Sequence, residues 1–582
     1  MIYLNQSDRM PPSRAVILRL FFLVLFICIV FDLLVSRDFI LLHAPLSDDL
    51  SMIAFSRSWS WDWFTKGLAD YFIVYPEYYG PQSNFIRPVS NFAYWVFSAA
   101  IERDAPFLAN QIQLVLLNFG SHAAISAIVA VIIHRLNSSW QMTIFASLAC
   151  IFIPTFWTTP TPSYSSFVFD ELAVLFCLVA LLAVSGRRLL IMSSFLGLAL
   201  LTKEIAFPIV AAFGSVFLLQ RQWKAVFGCL VAVAIWTTLR INGFGLHAEG
   251  VYVFTSESSS YISFLIEKLR NIFTLPFGPV FFEDIFDRQN NLTFVRSALL
   301  LVLNSCIYLI FVYLLVRIRP LHIWRHFRHQ KKSEKIELRG RIIAIASTVS
   351  VISFMFDAYV GANYRYAFNF LPFLFIAVAG IDGLPKLQRI LFMIFASGSL
   401  VASAPSIVRL QTDFKFESFR YDAIGKLFSA LRSHQASSRI VILNDFVLGF
   451  ANPKAMEILV PFAGEIMRGT SLYLDGCAVE DIRKIETTIS RSNSDLTIAT
   501  NLSTCGQFTF ESSPKIGNFV SGTQIARNDV IHYEFIANTI NPTSNMPGTQ
   551  WDRRNLASVI RNSDVLYFDF EQNDWVFISW KP

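Results

Sequence analysis

Apolar runs separated by short polar or basic loops follow one another over the first two-thirds of the chain. A helix that crosses a bilayer needs roughly 20 mainly apolar residues, and the longest runs reach that length. The runs cover residues 16–35, 108–133, 142–157, 167–184, 189–201, 205–219, 225–239, 297–316, 342–356, 367–381 and 390–404. The pattern predicts an α-helical polytopic membrane domain of about 11 transmembrane helices over residues 1–411.

The pattern changes after residue 411 to that of a water-soluble domain. Short stretches rich in β-branched and aromatic residues occur at residues 439–444, 471–475, 565–570 and 575–580. The last two flank the polar sequence Glu571-Gln-Asn-Asp574, which is typical of a β-hairpin. Residues 412–582 are therefore predicted to form an α/β domain.

Basic residues between the apolar runs predict the orientation. Arg9 and Arg14 precede the first run and place the N-terminus in the cytoplasm. The other basic loops fall mostly on the same side; they contain Arg135, Arg187, Arg188, Arg221, Lys224, residues 317–341, Lys386 and Arg389. An odd number of spans places the C-terminal domain outside, together with two long loops at residues 36–88 and 242–296.

Composition supports a membrane protein and argues against a nucleic-acid partner. The chain is 54% hydrophobic and 15% charged, with a mean hydropathy of +0.49. A soluble protein of ordinary composition carries more charge. Much of the net charge of +6 lies in short loops, where it reflects orientation in membrane lipid.

The cysteines fall into two groups. Five lie in apolar runs and are interpreted as packing residues: Cys28, Cys150, Cys177, Cys229 and Cys306. Cys477 and Cys505 lie in the C-terminal part and are expected to pair if that part is in an oxidising compartment and the two lie close.

Charged residues from distant parts of the sequence fall at the predicted outer ends of the spans. They are Asp48, Asp49, Arg87, Asp170, Glu171, Lys203, Glu204 and Arg365, the last between Tyr364 and Tyr366. Charges at membrane depth are costly and mark functional sites. A carboxylate can accept a proton from a hydroxyl, and nearby cations can stabilise a departing phosphate. The set favours group transfer from a lipid phosphate to a hydroxyl at the outer face.

Each of these residues also has a purely structural interpretation. Ser47 would cap a helix, with Asp48 and Asp49 in its first turn. Arg87 and Arg365 would extend toward the interface, Lys203 and Glu204 would form a local ion pair, and Asp170 and Glu171 would be helix-start residues. His322, His326 and His329 belong to a solvated basic loop rather than a metal site.

The order of these elements resembles the GT-C superfamily of polytopic glycosyltransferases. The elements are Asp48-Asp49, Arg87-Pro-Val-Ser90, Asp170-Glu-Leu-Ala173, Leu198-Ala-Leu-Leu-Thr-Lys-Glu204 and Arg365-Tyr366. The chain resembles most the protein O-mannosyltransferase-like group, which includes transmembrane enzymes with tetratricopeptide repeats and bacterial relatives without them. It departs from that group in its Ser47-Asp48-Asp49 element, which lacks aromatic flanks, and in having no such repeats.

The resemblance implies a polyprenyl-phosphate-linked sugar as donor and inversion at the sugar carbon. It assigns the role of general base to Asp48 or Asp49. It assigns binding of the donor phosphate to Lys203 and Arg365, and to Arg87 on a weaker match. The supporting residues are Asp170, Glu171, Glu204, Tyr364 and Tyr366. The acidic pair either binds a divalent cation, Mg²⁺ or Mn²⁺, or works alone. A glycan, a lipid or a protein remains open as acceptor.

The sequence thus predicts a glycosyltransferase of a bacterial inner membrane, with a cytoplasmic N-terminus and a periplasmic C-terminal domain. Two alternatives stay open. One is a transporter or flippase of lipid-linked sugars, because intramembrane charges also suit transport. The other is a non-catalytic protein of envelope assembly.

Overall fold

The chain folds into two compact units. The computed structural model describes residues 13–35, 88–90, 92, 108–137, 139–153, 168–185, 188–244, 272, 294–318, 334–360, 368–381, 385–433, 439–443, 446–447, 465–468, 471–474, 479–492, 495–501, 507–509, 530–536, 539–542 and 564–579. The first unit comprises Met1–Ile40, Trp63–Ala93 and Ile112–Leu410. The second comprises Leu41–Asp62, Tyr94–Gln111 and Gln411–Pro582.

The described part of the first unit is helical. Its helices are α1 (Arg14–Val35), α2 (Leu108–Asn137), α3 (Trp140–Ile151), α4 (Val168–Ser185), α5 (Leu189–Thr202), α6 (Phe207–Leu219), α7 (Trp223–Phe244), α8 (Phe294–Ile318), α9 (Glu334–Val360), α10 (Leu371–Ala379) and the start of α11 (Lys386–Ser433). A 3₁₀ turn, Glu204–Ala206, separates α5 from α6. These helices overlap the predicted apolar runs.

Three segments of the described helices are long and apolar enough, by length and composition, to cross a membrane: Arg14–Val35, Leu117–Asn137 and Leu338–Ala358. Shorter apolar helices accompany them at Trp140–Ile151, Leu189–Thr202, Glu204–Leu219, Trp223–Leu239 and Ser305–Val316.

Helix α1 shows how the unit distributes its apolar surface. Leu20, Val24, Cys28 and Asp32 recur every four residues and form its buried stripe. Large side chains such as Phe26, which is 66% exposed, cover the opposite face. A polar stripe would cover that face in water, so its hydrophobicity matches a lipid environment.

The buried stripe of α1 packs against small residues of α2. Ala123, Ala127 and Ala130 are fully buried in one cluster with Leu20 and Cys28. Small residues let two helix backbones approach closely. This approach brings the polar residues of α1 and α2 together.

An aromatic cluster packs the last four helices of the first unit together. The Phe311 ring of α8 lies 5.5 Å from Phe354, 6.1 Å from Phe370 and 6.0 Å from Phe395, between ring centroids. These rings belong to or adjoin α8, α9, α10 and α11. Aromatic rings at such distances bury large apolar areas and favour specific ring orientations.

The described part of the second unit is rich in strands. The strands are β1 (Arg439–Leu443), β2 (Glu465–Arg468), β3 (Ser471–Tyr473), β4 (Glu486–Ser492), β5 (Asp495–Asn501), β6 (Gln507–Thr509), β7 (Val530–Ile536), β8 (Thr539–Pro542), β9 (Asp564–Asp569) and β10 (Asp574–Ser579). A short helix, α12 (Val479–Ile482), precedes β4. The sheet orders are β10-β9-β1-β2, β3-β6 and β4-β5-β7-β8. In the first sheet β1 is parallel to β2 and β9, whereas β10 is antiparallel to β9.

The predicted C-terminal hairpin is confirmed. Asp574 of β10 pairs with Asp569 of β9 in an antiparallel register. The Asp569 carboxylate accepts hydrogen bonds from the backbone N–H groups of Glu571 (3.0 Å) and Gln572 (3.1 Å). Asn573 adopts φ 52°, a left-handed conformation that asparagine tolerates better than most residues.

Helix α11 differs from the prediction, because it does not end near residue 404. It continues to Ser433 and runs through the predicted domain boundary at residue 412. Phe419, Ala423, Leu427 and Leu431 are buried at a spacing of four residues, so this half is an amphipathic helix. The change in composition marks a polar face, rather than the end of the helix. Cys477 and Cys505 lie outside the described residues, and their pairing stays a prediction.

Candidate active site

Two of the predicted residues form an ion pair inside the helical unit. The Lys203 ammonium contacts the Asp170 carboxylate, and both side chains are 4% exposed. Asp170 lies in the first turn of α4, and Lys203 directly follows α5. A buried ion pair of this kind is held only where the surrounding helices compensate the cost of dehydration.

A break between two helices places Lys203. Helix α5 ends at Thr202, and Lys203 is extended, with φ −159° and ψ 140°. The 3₁₀ turn that begins at the half-buried Glu204 follows, and Pro208 opens α6. Proline at a helix start needs no N–H partner. The sequence Thr202-Lys-Glu204 is thus an interruption between two apolar helices, as its charges predict.

The same interruption is contacted by a second element of the predicted site. The Ser90 hydroxyl donates a hydrogen bond of 2.7 Å to the backbone carbonyl of Thr202. Ser90 is buried and closes the Arg87-Pro-Val-Ser90 element. Two elements that are 112 residues apart therefore meet beside Lys203.

Glu171 adds a further buried carboxylate. It is 2% exposed, and among the described residues its Oε2 atom has no hydrogen-bond partner. It interacts electrostatically with His122, Asp32 and Asp170. A buried carboxylate oxygen without a partner is costly, so it indicates a group that a ligand or a proton satisfies.

Asp357 and Asn369 form another buried pair. The Asn369 amide donates to both carboxylate oxygens of Asp357, at 3.3 and 3.2 Å. Asp357 lies in the last turn of α9, and Asn369 lies two residues before the start of α10. Asp357 also interacts electrostatically with Asp170.

A third group joins α1 to α2. The Oδ2 atom of Asp32 lies 3.0 Å from Nδ1 of His122. The Cys28 sulfur lies 3.6 Å from each of these two atoms. The other ring nitrogen of His122, Nε2, lies 3.1 Å from the carbonyl oxygen of Cys150. Carboxylate, imidazole and thiol together are a possible set of metal ligands.

Several of these groups lie at helix ends. Asp32, Lys203 and Asp357 lie at or beyond the C-terminal ends of α1, α5 and α9. Asp170 lies at the N-terminal end of α4, and Asn369 precedes α10. In the topology predicted from the basic loops, all of these ends face outside.

The described site is rich in carboxyl groups. Its buried carboxylates are Asp32, Asp170, Glu171 and Asp357, against the Lys203 ammonium and the His122 imidazole. Such a set can hold a cation or exchange a proton. Binding of a phosphate by these residues alone would depend on Lys203.

Several predicted site residues lie outside the described residues, and their roles stay predictions. They are Asp48, Asp49, Arg87, Tyr364, Arg365 and Tyr366. Of the other predicted residues, the structure joins Asp170 to Lys203 and places Glu171 next to Asp170 in α4.

Sequence reasoning missed Asp32, His122 and Asp357, although each is an ionisable residue within or directly next to an apolar run. That signal was available, because such residues usually face the interior of a helix bundle. The interpretation of Cys28 as a packing residue is incomplete, since it also contacts Asp32 and His122. For Cys306 the interpretation is wrong, because that residue is exposed.

Comparison with known proteins gives a likeness in structure. No protein-family model matches the chain, and neither does any curated protein. A similar solved structure is the crystal structure of ArnT from Cupriavidus metallidurans bound to undecaprenyl phosphate. The identity is 11%, the match covers 82% of this chain and 97% of that chain, and the TM-score is 0.39. At these values no family is assigned.

Proposed function

We propose that the chain is a membrane glycosyltransferase of the GT-C type. It transfers a sugar from a polyprenyl-phosphate donor to a hydroxyl of a glycan, lipid or protein, at the outer face of a bacterial inner membrane. The observation that carries this proposal is the buried Asp170–Lys203 ion pair. A polar site at one end of apolar helices suits a donor whose tail stays in lipid.

Lys203 has the properties required for the donor phosphate. Its ammonium is fixed in a region of low dielectric, where charge interactions are strong. Asp170 compensates this charge before the donor binds and holds the ammonium in place. During transfer, Lys203 would stabilise the negative charge that develops on the leaving phosphate. Arg365 and Arg87 would contribute further positive charge.

The reaction is a single displacement with inversion at the anomeric carbon. The acceptor oxygen forms a bond to that carbon while its proton passes to Asp48 or Asp49. The bond from the carbon to the phosphate oxygen breaks, and its electron pair leaves with the polyprenyl phosphate. Glu171, Glu204, Tyr364 and Tyr366 would orient the donor and the acceptor.

A transfer assay with carboxylate variants tests this proposal. The full chain is reconstituted in vesicles with a panel of radiolabelled polyprenyl-phosphate sugars and membrane extract as the acceptor. The double variant Asp48→Asn/Asp49→Asn should reduce transfer by about 100-fold or more, as expected for loss of a general base. Asp422→Asn is a matched control, because Asp422 is exposed on α11 and pairs with Lys426 at 2.8 Å. Full transfer by the double variant would rule out a role for these carboxylates in proton transfer.

A transporter of lipid-linked sugars is the second candidate. The observation in its favour is the excess of buried carboxylates over Lys203 and His122, since such groups can couple transport to protons. A transporter would move the labelled donor between leaflets without cleaving it. Release of sugar from the lipid distinguishes the two functions.

A further inference from the structure

We infer that Cys28, Asp32 and His122 form a zinc-binding site between α1 and α2. This inference is independent of the proposed reaction, because it rests on ligand geometry and is tested by metal binding. It also differs from a Mg²⁺ or Mn²⁺ site at the acidic pair of the first loop, since it uses sulfur and nitrogen ligands.

Both distances from the Cys28 sulfur match the edges of a tetrahedral zinc site, and the nitrogen–oxygen distance is about 0.3 Å shorter than its edge. Zinc bonds of about 2.3 Å to sulfur and about 2.0–2.1 Å to nitrogen or oxygen place sulfur about 3.6 Å from the other ligands, and nitrogen about 3.3 Å from oxygen. The observed separations are 3.6 Å from Cys28 Sγ to His122 Nδ1, 3.6 Å from Cys28 Sγ to Asp32 Oδ2, and 3.0 Å from Nδ1 to Oδ2.

The partner of the second ring nitrogen sets the tautomer of His122. A backbone carbonyl only accepts hydrogen bonds, so the contact of 3.1 Å with the Cys150 carbonyl requires a proton on Nε2. In the neutral ring, the lone pair of Nδ1 then points toward Asp32 and Cys28. Metal-bound histidines commonly donate their other N–H to a carbonyl in this way.

Two acceptor atoms at 3.0 Å need a proton or a metal ion between them. The proton can sit on Nδ1 or on the Asp32 carboxyl. The thiol proton of Cys28 satisfies only one of its two neighbours. Asp32 Oδ1 is also buried and has no hydrogen-bond partner in the described part of the chain. A proton on the imidazole leaves that oxygen unsatisfied, whereas a metal ion can be bound by both carboxylate oxygens.

Charge balance favours a divalent ion at this depth. Cys28, Asp32 and His122 are all 0% exposed. Binding of Zn²⁺ releases the thiol proton and any proton on Nδ1, which leaves thiolate, carboxylate and a neutral imidazole. Two negative charges and Zn²⁺ sum to zero, so the site is neutral in its apolar surroundings. The combination of sulfur, nitrogen and oxygen selects zinc over Mg²⁺ or Mn²⁺.

The sequence positions these ligands on two rigid helices. Cys28 and Asp32 are separated by four residues and therefore lie on one face of α1. Ala123 and Ala127 allow α2 to approach that face. Water or the second oxygen of Asp32 completes the coordination of the ion.

Metal analysis of the intact protein tests the site. The full chain, expressed with zinc and purified without chelator, should contain about one zinc ion per chain. Cys28→Ser and His122→Gln should each lower the zinc content about 10-fold or more, because each removes a direct ligand of the ion. Cys177→Ser is the matched control, because Cys177 is fully buried in α4; it should retain zinc. Asp48→Asn/Asp49→Asn should also retain it.

Two measurements on the unmutated chain remain informative if a variant does not fold. X-ray absorption at the zinc edge should show one sulfur among nitrogen and oxygen ligands, and exchange with Co²⁺ should give thiolate-to-cobalt charge-transfer absorption. A folded wild-type chain that binds neither Zn²⁺ nor Co²⁺ would overturn the inference. Zinc bound by nitrogen and oxygen ligands alone would also overturn it, and so would loss of zinc from Asp48→Asn/Asp49→Asn. His122 and Asp32 would then form an ion pair without a metal ion.

Discussion

At the scale of single residues, Asp170 and Lys203 each depend on the other. Both are nearly inaccessible to solvent. Removing one partner from a buried pair leaves an uncompensated charge, at a cost of about 3–5 kcal/mol, whereas removing both leaves none. The pair is therefore unlike Asp422–Lys426, which is partly exposed and contributes little to stability.

Variants of this pair separate stability from transfer. Asp170→Asn and Lys203→Met should each destabilise the helical unit by about 3–5 kcal/mol, and the combined variant should recover most of that loss. Transfer should stay abolished in the combined variant, because Lys203 is still missing. Unfolding in detergent and the vesicle transfer assay measure the two effects. The coupled role would be disproved if both single variants were as stable as wild type.

Tyr567 in β9 predicts a pH effect on the second unit. Burial, and then the negative charge of Asp569, raise the pKa of Tyr567 to about 12. Tyrosine in an unfolded chain has a pKa of about 10, so the unfolded state loses its proton first. The contribution of Tyr567 to the free energy of unfolding is complete below about pH 10 and is lost as the pH rises toward 12.

Tyr567→Phe removes the titrating group while retaining the ring. The variant should therefore lose less stability than wild type between about pH 10 and pH 12. Denaturant unfolding across that range measures the difference, with neutral pH as the internal control. Identical alkaline profiles for the two proteins would contradict the effect.

At the scale of elements, the C-terminal hairpin is fixed to the second half of α11. The indole N–H of Trp575 donates a buried hydrogen bond of 2.7 Å to the carbonyl of Ala423. The Lys426 ammonium donates a bond of 2.6 Å to the carbonyl of Asn573. Phe568 packs edge-on against Trp575, with ring centroids 5.2 Å apart. These contacts pack β9 and β10 against this part of α11.

Trp575→Phe tests that attachment. Loss of the buried hydrogen bond and of part of the ring should destabilise the second unit by about 1–3 kcal/mol. Trp223→Phe is the matched control, because Trp223 is 65% exposed at the start of α7. Amide hydrogen exchange of β9 and β10 should increase in the first variant and stay unchanged in the second. Unchanged exchange in both would refute the role of Trp575.

An element is predicted more reliably from the sequence when the residues that specify it lie close together along the chain. The hairpin was predicted because its strands and turn lie within about 20 residues, as short-range hairpin signals do. The length of α11 was missed because its second half is amphipathic, and its polar face resembles the start of a soluble domain. Asp32 and His122 were missed because a run of apolar neighbours dominates the average over each span. Their contact joins residues 90 positions apart, so it depends on packing.

At the scale of the whole chain, the candidate site is distributed over many helices. Its described members come from α1, α2, α4 and α9 and from the segments next to α5 and α10. The positive-inside rule predicts that Asp170 and Lys203 lie at the same face of the membrane. Their contact depends on the packing of α4 against α5, which the rule does not predict. Asp48, Asp49, Arg87, Tyr364, Arg365 and Tyr366 lie outside the described part of the chain.

The fate of the lipid donor shows directly whether the protein transfers the sugar or transports the intact donor. Purified protein in vesicles receives a polyprenyl-phosphate sugar that is labelled in both sugar and lipid, together with membrane extract as acceptor. A glycosyltransferase should release the lipid label as free polyprenyl phosphate and transfer an equal amount of sugar label to the acceptor. Lys203→Met should stop both. Donor that crosses the bilayer with its sugar still attached, with no free polyprenyl phosphate formed, would contradict transfer and identify a transporter.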